Sequence, residues 1–181
     1  MIHEDRLIKQ IKNGNRECLD ELIELYYPAI LRYCLWHMPD RESAQDATQE
    51  TFLKLVRFMD CYEHRGQFRA YLYRIAANTC IDMKRSALTA EPLADVEWES
   101  GCCMPTAYYT ESMFSAVEDR QQLAAALACL TDEARELILL RYGQELTLRE
   151  ISMVTNLPLR TAQTRLRRAL NKMKKALDDE N

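Results

Sequence analysis

Glycine and proline are scarce: four Gly and five Pro in 181 residues. That is too few to punctuate many short strands, which argues against an all-β sandwich or barrel. No run approaches the ~20 consecutive apolar residues that span a bilayer, so stable membrane insertion is not expected. The opening Met1-Ile2-His3-Glu4-Asp5-Arg6 lacks the basic-then-apolar order of a secretory signal. Histidine is limited to His3, His37 and His64, which are scattered, and Cys34-x-x-His37 is a lone pair. There is no C-x-x-C pair, no nucleophile–base spacing and no glycine loop to cradle phosphate. Catalytic residues, a metal site and a cofactor are therefore not expected, and the chain reads as a cytoplasmic protein.

What is present points to helices. Apolar residues make up 48% and charged residues 29%, a mix that supports packed cores. Seven cysteines (18, 34, 61, 80, 102, 103 and 129) read as reduced, mostly buried thiols. Cys102-Cys103 lies in a loop-like stretch and is the one place where sequence leaves a redox or metal role open.

Charge divides the chain more sharply than composition does. Twenty-four basic and 28 acidic side chains give a formal charge of −4. Residues 1–85 are balanced, 13 against 13, and residues 120–181 carry 11 basic and eight acidic. Between them, 86–119 holds seven acidic residues (Glu91, Asp95, Glu97, Glu99, Glu111, Glu118, Asp119) and no Lys or Arg. With Pro92, Gly101 and Pro105 inside it, the middle reads as an acidic flexible linker, about 87–116, between helical domains at 1–86 and 117–181.

Four helices are expected in the N-terminal half. Leu7, Ile8, Ile11, Leu19, Leu22, Ile23 and Tyr26 recur at helical spacing, with Asn13-Gly14-Asn15 as the break. Pro28 interrupts the second pattern, and Pro39 ends it, leaving Asp40 to cap a helix over about 41–60. At 100° per residue, Phe52, Leu55, Val56 and Met59 fall on one side of that helix. Asp46, Gln49, Glu50, Leu53 and Arg57 fall on the other, and a leucine ringed by charges suits a protein contact. A loop at 60–67 leads into a helix from about Phe68 to Arg85, dense in Phe68, Arg69, Tyr71, Tyr73, Arg74, Lys84 and Arg85. Rings interleaved with cations suit unpaired bases and phosphates. On the residues alone, Tyr71 and Tyr73 read better as ordinary core aromatics.

The C-terminal half carries patterns at about 117–130, 132–142 and 147–154, then a longer helix from Pro158 to about Leu177. Thr131 is placed to cap the second, and Thr147-Leu148-Arg149-Glu150 is a capping box opening the third. Two short elements joined by Thr155-Asn156-Leu157 match a helix-turn-helix. On the last helix Ala162, Leu166, Ala169, Leu170, Met173 and Leu177 form an apolar stripe. Between Arg160 and Lys175 there are seven basic residues and no acidic one, a profile that suits the major groove.

At this point a family resemblance carries further. Leu25-Tyr26-Tyr27-Pro28, Asp40 through Phe52, and Phe68 through Asn78 resemble conserved region two of a bacterial sigma factor. Leu148 through Ile151 with Leu157 through Ala169 is similar to region four. Passing straight from region two to region four, the chain resembles the extracytoplasmic-function group of the sigma-70 family. The resemblance implies an all-α protein of two small helical domains that binds core RNA polymerase and opens promoters. Asp46, Gln49, Glu50, Leu53 and Arg57 would dock on the clamp coiled coil of the largest subunit. Tyr62, His64, Arg65, Phe68, Tyr71, Arg74 and Asn78 would hold the single-stranded minus-ten element, with Asn78 near a flipped base. Arg160, Thr161, Gln163, Thr164, Arg165, Arg167 and Arg168 would read the minus-thirty-five duplex, Arg165 on phosphate. The rest of region four would meet the polymerase flap. The acidic segment would mimic RNA inside a channel built for a polyanion. An anti-sigma factor is implied as a further partner, able to hold the cytoplasmic chain at the membrane. Arg160 stands where a small residue is usual, Gln163 where Lys or Arg is common and Tyr71 where Trp is frequent, so promoter preference is not transferred. A helix-turn-helix regulator with a sensor domain, and a thiol- or metal-dependent enzyme, are the competing readings.

Overall fold

The computed structural model describes residues 2–63, 66–90 and 117–179, and among them there are helices and turns but no strand. They fall into two units, one within 1–94 and one within 95–181. His64, Arg65, Cys102, Cys103 and the acidic stretch 91–116 lie outside the described residues.

The first unit contains α1 (Ile2–Lys12), α2 (Glu17–His37), α3 (Arg41–Phe58) and α4 (Phe68–Ala90). Gly14, at a φ of 90°, makes the turn after α1, a conformation that disfavours a side chain. Tyr26 of α2 donates its hydroxyl to Glu4 Oε2 of α1 at 2.6 Å. Burial, then the Glu4 bond, push that phenol well above its ordinary range. α2 runs unbroken through Pro28, contrary to the interruption expected there. Pro28 is exposed, so water can satisfy the Glu24 carbonyl that loses its helical donor. Three contacts run along the α2–α4 seam. Tyr26 meets Phe68 and Tyr33 meets Tyr73, each with centroids 5.5 Å apart, and Cys34 meets Cys80.

Asp40 caps α3 as expected, its carboxylate accepting from Ser43 N at 2.7 Å and Ser43 Oγ at 2.9 Å. The buried face of α3 is Ala44, Ala47, Thr48, Thr51, Phe52 and Leu55. The expected apolar face is thus corrected in two respects. Thr48 and Thr51 join it because each hydroxyl donates to the carbonyl four residues back, both at 2.7 Å, leaving no unmet polar group. Val56 leaves it and is exposed, because it stands about 100° from the middle of that face at 100° per residue.

The second unit contains α5 (Val117–Ala128), α6 (Asp132–Ile138), a π turn at Leu139–Gly143, α7 (Leu148–Thr155) and α8 (Leu159–Asp179). Thr131 caps α6, and the Thr147–Glu150 capping box opens α7 with both reciprocal bonds made. Asn156 ends α7 at a φ of 54°, a left-handed position that asparagine tolerates. α8 packs on α5, α6 and α7 through Ala162, Leu166, Ala169 and Met173. Leu170, expected in the same stripe, lies on its edge and is exposed. Arg135 is buried yet fully engaged. Its guanidinium donates to the Leu127 carbonyl (3.1 Å), the Leu130 carbonyl (3.1 Å) and Asp132 Oδ1 (3.0 Å), closing the end of α5.

Candidate nucleic-acid interface

α3 turns Asp46, Gln49, Leu53 and Arg57 outward, with Glu50 half-buried beside them. Leu53 is 60% exposed, an apolar group the core does not use. Val56, one turn on, is exposed beside it and extends the patch beyond what the sequence indicated, while Phe58 is exposed about 140° round the helix. Angle puts Val56 at the edge of the Phe52, Leu55 and Met59 side, and the packed face is centred far enough away to leave it exposed.

On α4, Tyr71, Arg74 and Asn78 occupy one stripe at i, i+3 and i+7. Arg74 and Asn78 are exposed and Tyr71 is half-buried. Tyr71 stacks on Tyr62 with centroids 4.6 Å apart and planes 26° apart. Tyr62 then meets Phe68 edge-on at 5.7 Å. This ladder runs from surface to core: Tyr62 is 8% exposed and Phe68 is 0% exposed. Phe68 is therefore corrected from a surface contact to a core anchor, and Tyr62 to the ring that backs Tyr71. Tyr73 is a core aromatic as well. Burial, and then Cys61, raise the Tyr71 phenol, so its hydroxyl stays a neutral donor near pH 7.

Lys54 links the two faces. Its Nζ donates to Thr79 Oγ1 at 3.2 Å and lies 3.6 Å from Asp82 of α4 and 3.9 Å from Glu50 of α3. The ion pairs are partly exposed and individually weak.

On α8, Arg160, Gln163, Arg167 and Arg168 are exposed, while Thr161 and Thr164 are half-buried. Thr164 Oγ1 donates to the Arg160 carbonyl at 2.8 Å, leaving its lone pairs outward. Arg165 differs from its neighbours. Its Nη1 lies 2.5 Å from Glu133 Oε2 of α6, so it braces α8 rather than facing out with the rest. Lys172, two turns on along the same edge, donates to the Cys129 carbonyl. These two cations occupy the flank next to α5 and α6. The others cover the opposite face as one field of positive charge.

Among the described residues no group of three His, Cys, Asp or Glu side chains is placed to hold a metal ion. No helix among them is long and apolar enough to cross a membrane.

Comparison with known proteins agrees with this division. A model of Sigma-70 region 2 matches residues 22–88 and a model of Sigma-70, region 4 matches residues 126–175, together more than half of the chain. The ECF RNA polymerase sigma factor SigW of Bacillus subtilis (strain 168) is 28% identical over 178 residues, covering 95% of each chain. The ECF RNA polymerase sigma-E factor of Escherichia coli (strain K12) is 25% identical over 169 residues, covering 90% of this chain and 88% of that one. Among solved structures, the sigma factor RpoE of Bartonella quintana, crystallised with the anti-sigma factor NepR, matches with a TM-score of 0.70 at 21% identity. That match covers 90% of this chain and 98% of RpoE. The chain belongs to the sigma-70 family of transcription initiation factors, and the relatives it is similar to are named ECF sigma factors.

Proposed function

We propose that the chain directs core RNA polymerase to promoters through three separate faces. Asp46, Gln49, Glu50, Leu53 and Arg57, extended by Val56, dock on the clamp coiled coil. Tyr71, Arg74 and Asn78, backed by Tyr62, capture the unpaired minus-ten strand, and Phe68 anchors that backing. Arg160, Thr161, Gln163, Thr164, Arg167 and Arg168 read the minus-thirty-five duplex, with Arg165 bracing the reading helix.

The observation that carries this reading is that one chain joins an outward aromatic–cation–amide stripe on α4 to an outward field of arginines on α8. Unpaired bases need ring faces, and each stacked base contributes roughly 1–3 kcal/mol. Duplex edges need forked donors, with Arg for guanine and Gln for adenine. Strand opening then follows from tighter binding of the open than of the closed form. It requires no catalytic residue, so the chain acts as a binding subunit and not as an enzyme. A net charge of −4 suits a subunit that meets DNA only within a larger assembly, because phosphate neutralisation dominates DNA affinity. The chain acts in the cytoplasm. An anti-sigma factor is the further partner we propose for this chain; RpoE, whose fold it shares, was crystallised with one.

The decisive experiment is transcription from a random-promoter library by purified core enzyme, with and without this chain, alongside a pull-down on core. Retention on core and new start sites sharing two upstream elements are expected. An empty pull-down or unchanged start sites refutes the reading.

A further inference from the structure

Five cysteines fall within the described residues, and their surroundings differ. Cys18 is buried and donates to Gln10 Oε1 at 3.2 Å. Cys61 and Cys129 are exposed at separate places. Cys34 and Cys80 alone among the five face each other. Their sulfurs are 3.9 Å apart across the α2–α4 seam, and the residues are 0% and 2% exposed.

Two features make this more than a chance approach of small side chains. First, the same two helices are also joined by ring pairs, Tyr33–Tyr73 and Tyr26–Phe68, so the cysteines face each other within a packed seam. Second, the thiols are chemically unequal. Cys80 donates its S–H to the Cys34 sulfur, and this bond, helped by the Thr48 hydroxyl against the opposing effect of burial, lowers the Cys34 thiol below its ordinary range. Because Cys34 is the sulfur that accepts the Cys80 S–H, the geometry fits Cys34 as the nucleophile and Cys80 as the resolving partner. A metal is not the better reading, since no third ligand joins them among the described residues.

We propose that Cys34 and Cys80 are a dithiol modification site that closes to a disulfide when the protein meets a small hydroperoxide. The Cys34 thiolate attacks a peroxide oxygen; the S–O bond forms, the O–O bond breaks, and hydroxide leaves to become water. Cys80 then attacks the Cys34 sulfenic sulfur. The S–S bond forms, the S–O bond breaks, and the departing hydroxide takes the Cys80 proton. Two thiols and one hydrogen peroxide give one disulfide and two waters, with two electrons passing to the peroxide. The sulfurs stand beyond the ~2.05 Å of a disulfide, so closure requires side-chain rotation and a small approach of α2 and α4. Burial makes the reaction slow and selective for a small oxidant. The bond ties the ends of a segment that contains all of α3. It also sets the register of α4, the helix that carries Tyr71, Arg74 and Asn78.

The test uses the wild-type full chain, reduced and then exposed to hydrogen peroxide. Remaining thiols are trapped with N-ethylmaleimide in denaturant, and the chain is digested without reductant. A linked pair of peptides, one holding Cys34 and the other Cys80, is expected. The thermal midpoint of the front unit should rise by about 10 °C and fall back on adding dithiothreitol. Cys80→Ala and Cys34→Ala should each abolish both changes. The proposal is overturned if Cys34 and Cys80 are recovered as maleimide adducts while Cys61 and Cys129 oxidise. Recovery of Cys34 as sulfinic acid with no linked peptide overturns it equally. The peptide map needs no variant, so a poorly folding substitution leaves the test intact.

Discussion

The two units bury polarity in different ways and leave different groups at the surface. In the front unit the buried polar side chains are three threonines: Thr48 and Thr51 bond within their own helix and Thr79 accepts from Lys54. In the rear unit they are Gln144 and a full charge, Arg135, which closes the carbonyl end of another helix. The front unit sends a ladder of rings from its core to the surface, ending at Tyr71. The rear unit keeps an aliphatic core and spends its cations on two tasks: Arg165 and Lys172 brace α8, and Arg160, Arg167 and Arg168 face out. The contrast teaches that residue type alone does not separate buried from outward groups. Neighbouring tyrosines, or neighbouring arginines, divide between packing and surface according to the angle at which each leaves its helix.

Substitutions that separate such neighbours test the division. Replacing Arg167 and Arg168 together by Ala should weaken holoenzyme binding to minus-thirty-five-dependent promoters on the order of 1,000-fold, about 4 kcal/mol, at unchanged core affinity. Filter binding at several salt concentrations checks it, and the salt dependence should flatten. In the front unit, Tyr73→Ala should cost about 4 kcal/mol of stability by leaving a cavity. Tyr71→Ala should leave most of the stability and instead lower open-complex occupancy by about 2 kcal/mol, read by permanganate footprinting. If both tyrosines behaved alike, the ladder would not divide core from surface as described.

Arg135→Ala should destabilise the rear unit by about 3 kcal/mol in urea unfolding, because the Leu127 and Leu130 carbonyls lose charged donors. Arg135→Lys should recover little, since an ammonium cannot span three acceptors in one plane. Leu53→Asp should leave the unfolding midpoint nearly unchanged yet reduce core-polymerase affinity about 30-fold, roughly 2 kcal/mol, by surface plasmon resonance. Asp40→Ala should have the smallest effect, about 1 kcal/mol from the lost cap. The Ser43 backbone bond, followed by its hydroxyl, holds the exposed Asp40 carboxyl below its ordinary value. Its contribution is therefore present above the usual carboxylate range and lost as pH falls through the lowered value. The wild type and Asp40→Ala should converge in stability in strong acid.

Much of this architecture is legible from local chemistry. The caps at Asp40, Thr131 and Thr147 form where short polar side chains precede apolar periodicity, because a cap bond spans only three residues. The helix-turn-helix and the outward arginines of α8 follow from the same periodicity. Val56 and Leu170 stand at the edges of their apolar stripes, where angle alone does not tell core from surface, and Thr48 and Thr51 read as polar although their own helix satisfies their hydroxyls. Pro28 reads as a break, yet α2 continues because the site is exposed and the lost bond can be met by water. The family resemblance put Phe68 and Tyr62 among the base contacts, and their depth was not readable because burial depends on how distant helices pack.

Periodicity, capping chemistry and charge distribution set the helices, the two families of recognition surface and the kinship with sigma factors, since each depends on residues within a few positions of one another. Packing settled which ring is buried and which reaches the surface, which arginine pairs with Glu133 and which face out, and that Cys34 meets Cys80 across 46 positions of chain. Those pairings depend on how distant helices meet in space, and contact between residues far apart in sequence leaves no local pattern to read.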